Sequence, residues 1–141
     1  MTDYFTIQLP ADEIRAISSI GLAHLGDGVY ELLVRKRIVE AGSMPPKKLN
    51  AHKVEMVRAS AQAAVYDGLE PLLTEDERDM LKRGRNAHTG SVPQNAQMAD
   101  YRKATGVEAL FGFLYLKGDW ERLYFLFDKA MRIFTERVGQ K

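Results

Sequence analysis

The chain has 141 residues, 45% hydrophobic and 28% charged, with a net charge of +1 and no cysteine. Those values suit one globular domain that buries roughly two-thirds of the surface its unfolded form exposes. They exclude a disulfide scaffold and any thiolate metal site, and they fit a reducing compartment.

From Ala11 onward the hydrophobic pattern is helical almost throughout, and no repeat or low-complexity segment interrupts it. A short helix from Ala11 to Ser18 leads into a long one from Ser19 to Glu40, stopped by Ala41-Gly42. Asp27-Gly28 can also be written as a hairpin turn before a strand from Val29 to Val39. Against that, Leu22, Leu25, Val29, Leu32 and Leu33 keep a helical spacing, and Arg35-Lys36-Arg37 interrupts any apolar strand. Pro45-Pro46 opens a third helix, with Val54, Val57, Ala61, Ala64 and Val65 on one stripe, ending near Asp67-Gly68. Thr74 and Glu77 form a capping box for a fourth helix that runs to Arg83 before Gly84. Arg85 to Gln97 reads as a loop rich in Asn, Gly, Ser and Pro, long enough to suggest a working role. A fifth helix, Met98 to Lys117, is apolar on most sides, as a central helix should be. Asp119 caps a last helix with Trp120, Leu123, Phe127, Met131 and Phe134 at core spacing, ending near Arg137. The expectation is an all-α helical bundle: one domain over 1–141 with its core about 11–137.

Met1-Thr2-Asp3-Tyr4 lacks the basic stretch and apolar core of a secretory leader. The longest uncharged apolar run, Ala109 to Leu116, is too short to span a bilayer. A cytoplasmic protein with no membrane contact is therefore expected. The near-neutral total hides a local excess of base. Between Lys82 and Lys103 stand Lys82, Arg83, Arg85, Arg102 and Lys103 against one acid, Asp100. Such a patch is either a solvated face or a surface for a polyanion.

Two acids sit where folding alone does not ask for them. Asp27 stands between Gly26 and Gly28, and each mid-helix glycine costs roughly 1 kcal/mol relative to alanine. Glu108 shares a face of the fifth helix with Tyr101, Thr105, Gly112 and Tyr115, the one carboxylate in its apolar core. Packed together, the two helices can bring Asp27 and Glu108 near each other. Two buried carboxylates at close range do not both ionise without a cation between them. A hard divalent ion with oxygen ligands, magnesium being the expected one, answers that need. The plainer reading is that Asp27 caps a helix and Glu108 pairs with an arginine. Other motifs fail. Lys82-Arg83-Gly84-Arg85-Asn86 lacks the Gly-Lys-Ser/Thr ending and preceding strand of a P-loop, and the histidines lack zinc-protease spacing. His24 is a polar neighbour of the Asp27 position.

Leu25-Gly26-Asp27 followed by Val29-Tyr30-Glu31 resembles the signature helix of the ribonuclease III catalytic domain. Glu108-Ala109-Leu110-x-Gly112 resembles that family's second acidic motif, in the same order and at a fitting separation. Lys82-Arg83-Gly84-Arg85-Asn86-Ala87, Pro93-x-Asn95 and Tyr101-Arg102-x-Ala104-Thr105 are similar to the short bacterial form, Mini-ribonuclease III, which lacks an RNA-binding domain. The likeness spans about residues 20 to 135.

That resemblance implies a ribonuclease III-like all-α endonuclease domain working as a homodimer. It implies magnesium-dependent hydrolysis of phosphodiesters in double-stranded RNA, one strand per protomer. The typical substrate of the short form is precursor large-subunit ribosomal RNA. Asp27 and Glu108 carry over as the catalytic, metal-holding acids. Lys82, Arg83, Arg85, Asn86, Tyr101 and Arg102 carry over as RNA contacts, since A-form RNA is read by shape, phosphates and 2′-hydroxyls. With few residues after Arg137, no appended RNA-binding domain is expected. The longer enzymes place further acids where this chain has Ala23 and Thr105, a departure in keeping with the short form. The rival expectation is a non-catalytic helical RNA-binding dimer module with the same fold.

Overall fold

Helix α6, Met98–Lys117, is buried at almost every position from Ala104 to Leu114, and the other helices are laid around it. The computed structural model describes residues 3–5, 8–87 and 97–139. Seven α-helices appear among them: α1 Ala11–Arg15, α2 Ser19–Glu40, α3 Pro46–Val57, α4 Ala59–Leu69, α5 Glu75–Asn86, α6, and α7 Trp120–Gly139. A single 3₁₀ turn, Glu70–Leu72, joins α4 to α5, and no strand occurs among the described residues. The all-α expectation holds. Most of the expected loop, including Pro93 and Asn95, lies outside the described residues.

Local chemistry sets most boundaries. Ser18 is extended, so α1 stops short of it, and its Oγ accepts the Gly21 amide at 2.9 Å to start α2. The Thr74–Glu77 capping box is present in both directions. Gly118 ends α6 at φ 74°, and Asp119 Oδ1 accepts the Arg122 amide at 3.2 Å.

Two boundaries differ from expectation. The single third helix is broken at Arg58, which takes φ −62° and ψ 153°. That extended residue redirects the chain, so α3 lies on the outside of α2 with no fully buried residue. Helix α4 turns inward and buries Ala61, Val65, Tyr66 and Leu69 against α6 and α7. The second difference is at Gly84, which does not end α5. A Cβ there would stand 2.7 Å from the Ala109 Cβ and 2.9 Å from the Gly106 Cα. The residue is small because α5 crosses α6 there, and the helix continues through Arg85 and Asn86.

An equally close crossing joins α2 to α6. A Cβ on Gly26 would fall 1.6 Å from the Glu108 carbonyl oxygen, and one on Gly112 would fall 2.2 Å from the Leu22 carbonyl oxygen. Gly28, by contrast, has nothing within 4 Å of its Cβ direction. The two glycines flanking Asp27 should therefore respond oppositely to alanine. Gly26→Ala must separate two backbones, and a loss above about 3 kcal/mol is expected, beyond ordinary overpacking. Gly28→Ala should gain about 0.5–1 kcal/mol from helix propensity. Urea unfolding of both variants checks the contrast. Equal effects would remove the crossing as the reason for Gly26.

Behind the crossing, Tyr30, Phe111 and Phe127 pack edge to face at 5.1, 5.6 and 6.5 Å between ring centroids. On the far side of the bundle, Arg122 Nε and Nη2 each donate to the Glu77 carboxylate at 2.8 Å. Burial pushes the Glu77 carboxyl up, but Arg122 and the Thr74 amide outweigh it and hold the group below its usual range. This pair ties the start of α5 to the start of α7.

Candidate active site

Because α2 and α6 touch backbone to backbone at Gly26 and Gly112, the side chains beside the crossing are brought face to face. Helical spacing puts Ala23, His24 and Asp27 on one stripe of α2, and Tyr101, Thr105 and Glu108 on one stripe of α6. The two stripes line an open cleft of about 160 Å³ between the helices. Ala23 and Thr105 are small, and Thr105 Oγ1 donates back to the Tyr101 carbonyl at 3.0 Å, so neither fills the space. Asp27 is exposed on the α2 side, whereas Glu108 is only partly exposed. The two acids meet as expected, but Asp27 is less buried than the apolar pattern of its helix suggested.

Glu108 shows the consequence of the meeting. Its carboxyl is pushed up to about 8, first by burial, then by the charge of Asp27 and by its hydrogen bond to Asp27. Near neutral pH this keeps the Glu108 carboxyl protonated and hydrogen-bonded to Asp27. Tyr30, one turn beyond Asp27, is fully buried; burial and then the Glu108 charge raise its phenol, so it stays protonated. Its hydroxyl has no hydrogen-bond partner among the described residues.

Glu31 lies one turn from Asp27 but faces elsewhere. Its carboxylate pairs with Arg35 at 2.9 Å and with Lys53 at 3.8 Å, tying α2 to α3. No group of three or more His, Cys, Asp or Glu suited to a metal occurs among the described residues. The acids of this site number two. A larger cavity of about 600 Å³ between α2 and α7, walled by Leu33, Tyr124 and Phe127, contains neither of them.

The six basic and polar candidates divide by position. Tyr101 lines the acid cleft and is 41% exposed. Arg85, Asn86 and Arg102 line a second pocket of about 270 Å³, together with Met98 and Lys103. Arg83 is turned toward α1, its guanidinium donating to the Arg15 carbonyl at 3.5 Å and to the Met80 sulfur at 3.7 Å. Lys82 is exposed and lines neither pocket. In the sequence Lys103 stands out only as part of the basic patch, and Tyr66 does not stand out at all. Lys103 pairs with Asp67 at 2.8 Å, and buried Tyr66 accepts from Arg85 at 3.0 Å. Neither contact has a local sequence signal, because each joins α4 to another helix.

The geometry accords with comparisons to known proteins. The family model described as the ribonuclease III domain matches residues 21–119. A Mini-ribonuclease 3 of Symbiobacterium thermophilum is 48% identical over 102 residues, 72% of this chain and 78% of that one. A Mini-ribonuclease 3 of a Thermoanaerobacter species is 37% identical over 128 residues, covering 91% of this chain and 90% of that one. A crystal structure of a Fusobacterium nucleatum protein superposes with a TM-score of 0.76 at 28% identity, covering 85% of this chain and 96% of that one. The matched span contains both acids and the α2–α6 crossing. The chain belongs to the ribonuclease III domain family and is an endoribonuclease of that family.

Proposed function

We propose that this endoribonuclease hydrolyses phosphodiesters of double-stranded RNA with magnesium, using Asp27 and Glu108 as its catalytic and metal-holding acids. The observation that carries the reading is the pair itself: Asp27 and Glu108 face each other in one open cleft, and the Glu108 carboxyl is driven up by burial and by Asp27. A divalent cation relieves what burial and mutual repulsion impose on Glu108. Two carboxylates also suit magnesium, which keeps several waters and takes phosphate oxygens rather than demanding a full protein cage. When bound, the ion supplies Lewis acidity and a bound water of lowered pKa.

The chain's own residues do the rest. Asp27 and Glu108 hold the negative charge that fixes the cation, and the backbone crossing at Gly26 and Gly112 keeps their separation. Ala23 and Thr105 leave room for a phosphate to enter. Arg85, Asn86, Tyr101 and Arg102, with Lys82 and Arg83 further out, supply the positive and polar surface that guides a phosphate backbone. We further assign the chain as a homodimer, one acid pair for each strand of the duplex, acting in the cytoplasm on precursor large-subunit ribosomal RNA. The small neutral residues at 23 and 105, in the pattern of the short form, support that substrate. No helix among the described residues is long and apolar enough to cross a membrane.

The test is incubation of the purified chain with a duplex RNA carrying the ends of the large-subunit rRNA precursor, with magnesium or with EDTA. Magnesium-dependent cuts on both strands are expected. Binding without cleavage at any magnesium concentration would instead establish a non-catalytic RNA-binding dimer.

A further inference from the structure

Arg85 and Arg102 stand beside the acid cleft without an acid to pair with. Each is partly buried, where an uncompensated charge is expensive, yet neither forms an ion pair among the described residues. The Arg102 Nε is buried and has no hydrogen-bond partner there. Both arginines line the 270 Å³ pocket between the end of α5 and the start of α6, with Met98 and Ala99 as its apolar wall. A pocket lined by two unpaired guanidiniums is built for an anion.

Behind Arg85 and Lys103 lies Tyr66, 2% exposed, on α4, the helix whose Asp67 also pairs with Lys103. Its hydroxyl accepts from Arg85 Nη1 at 3.0 Å. Its ring centroid is 5.9 Å from the Arg85 guanidinium carbon and 5.7 Å from Lys103 Nζ. Negative ring face and hydroxyl together hold Arg85 from below. Asn86 Oδ1 accepts from Arg85 Nε at 3.2 Å, which leaves Nη2 without a protein partner among the described residues. Arg85 is thus set in one orientation before any ligand arrives, and little side-chain entropy is left to lose on binding.

The position of the pocket identifies its ligand. Asn86 lines it while the next residue, Ala87, lines the acid cleft; Arg102 lines it while its neighbour Tyr101 lines the cleft. Neighbouring residues at the end of α5 and the start of α6 thus serve the two cavities. We propose that this pocket is a phosphate subsite for the RNA strand beside the cleavage position, with Arg85 and Arg102 as contacts and Tyr66 as the positioning residue for Arg85. The proposal rests on the ribonuclease reading above, and adds Tyr66, on which that reading places no demand.

Tyr66→Phe keeps the ring and removes one hydroxyl, so the chain should fold with nearly wild-type melting. Duplex RNA binding is measured in EDTA across a salt series, and KM and kcat are measured separately with magnesium. Tyr66→Phe should raise Kd and KM together by about 3- to 10-fold and leave kcat within about twofold, since only the fixing of Arg85 is lost. Arg85→Ala and Arg102→Ala should each weaken binding further and reduce the salt slope by roughly one phosphate contact. Wild-type Kd and KM in Tyr66→Phe, or unchanged salt slopes in both arginine variants, would overturn the subsite while the enzyme still cut RNA. Failure of the wild-type chain to bind and cut any duplex would overturn the ribonuclease reading and the subsite with it.

Discussion

Asp27→Asn and Glu108→Gln should each lower magnesium-dependent cleavage of duplex RNA by about 1000-fold or more, equivalent to roughly 4 kcal/mol of lost transition-state stabilisation. Both substitutions keep shape and hydrogen-bonding capacity while removing a negative charge. Asp27 is exposed, so its carboxamide costs the fold little. Glu108 is already protonated near neutrality in the metal-free chain, so glutamine replaces one neutral group with another. Helical circular dichroism and oligomeric state should therefore match the wild type while single-turnover cleavage collapses. On the proposed reading the acids act as one unit on one cation, so the double variant should be little worse than either single one. A single variant that cut at the wild-type rate would remove that acid from the site.

How far the site was legible differs between its two helices and the rest. Asp27 and Glu108 could be paired from sequence because each is a charge set among small or apolar residues on a strongly periodic helix. Such a conflict between local pattern and burial has few resolutions. The glycines beside Asp27 show where that reading loses resolution. Both look like equal costs in the chain, yet Gly26 lies against the Glu108 carbonyl and Gly28 faces open space. What separates them is a tertiary contact across eighty residues, which local propensity does not encode.

The same limit explains the break at Arg58 and the oversight of Tyr66. No proline, glycine or cap marks Arg58; the helix divides there because α3 packs outside α2 while α4 packs against α6 and α7. Only once α4 turns inward does Tyr66 come under Arg85 and Lys103. Gly84 misled in the opposite sense. A glycine before Arg85 reads as a helix stop, but here it is the crossing residue of a helix that continues. Arg85 and Asn86 consequently stand on the rigid end of α5, which is what lets Tyr66 fix the arginine.

The Glu108 carboxyl also makes stability itself report on the metal. A carboxyl raised from 4.5 to about 8 in the folded chain favours folding below its unfolded value, and that contribution is lost as pH rises through about 8. In metal-free buffer the melting temperature of the wild type should therefore fall, relative to Glu108→Gln, as pH is raised from 5 through 9. At pH 5 the two should melt nearly together; by pH 9 the variant should be higher by about 5 °C or more, the scale of a one- to two-kcal/mol change in a chain of this size. Magnesium should reverse the order. On the proposed reading the ion binds the folded, ionised pair and not the unfolded chain, so it should stabilise by mass action, and more strongly the higher the pH. Glu108→Gln and Asp27→Asn, each with one charge left, should barely respond. Thermal melts of the three proteins over this pH series, with and without magnesium, separate the contributions without any RNA present. A wild-type melting temperature indifferent to magnesium at pH 8 would mean that the two acids hold no cation before substrate binds. Parallel pH curves for wild type and Glu108→Gln would mean that burial and the neighbouring Asp27 do not hold a proton on Glu108.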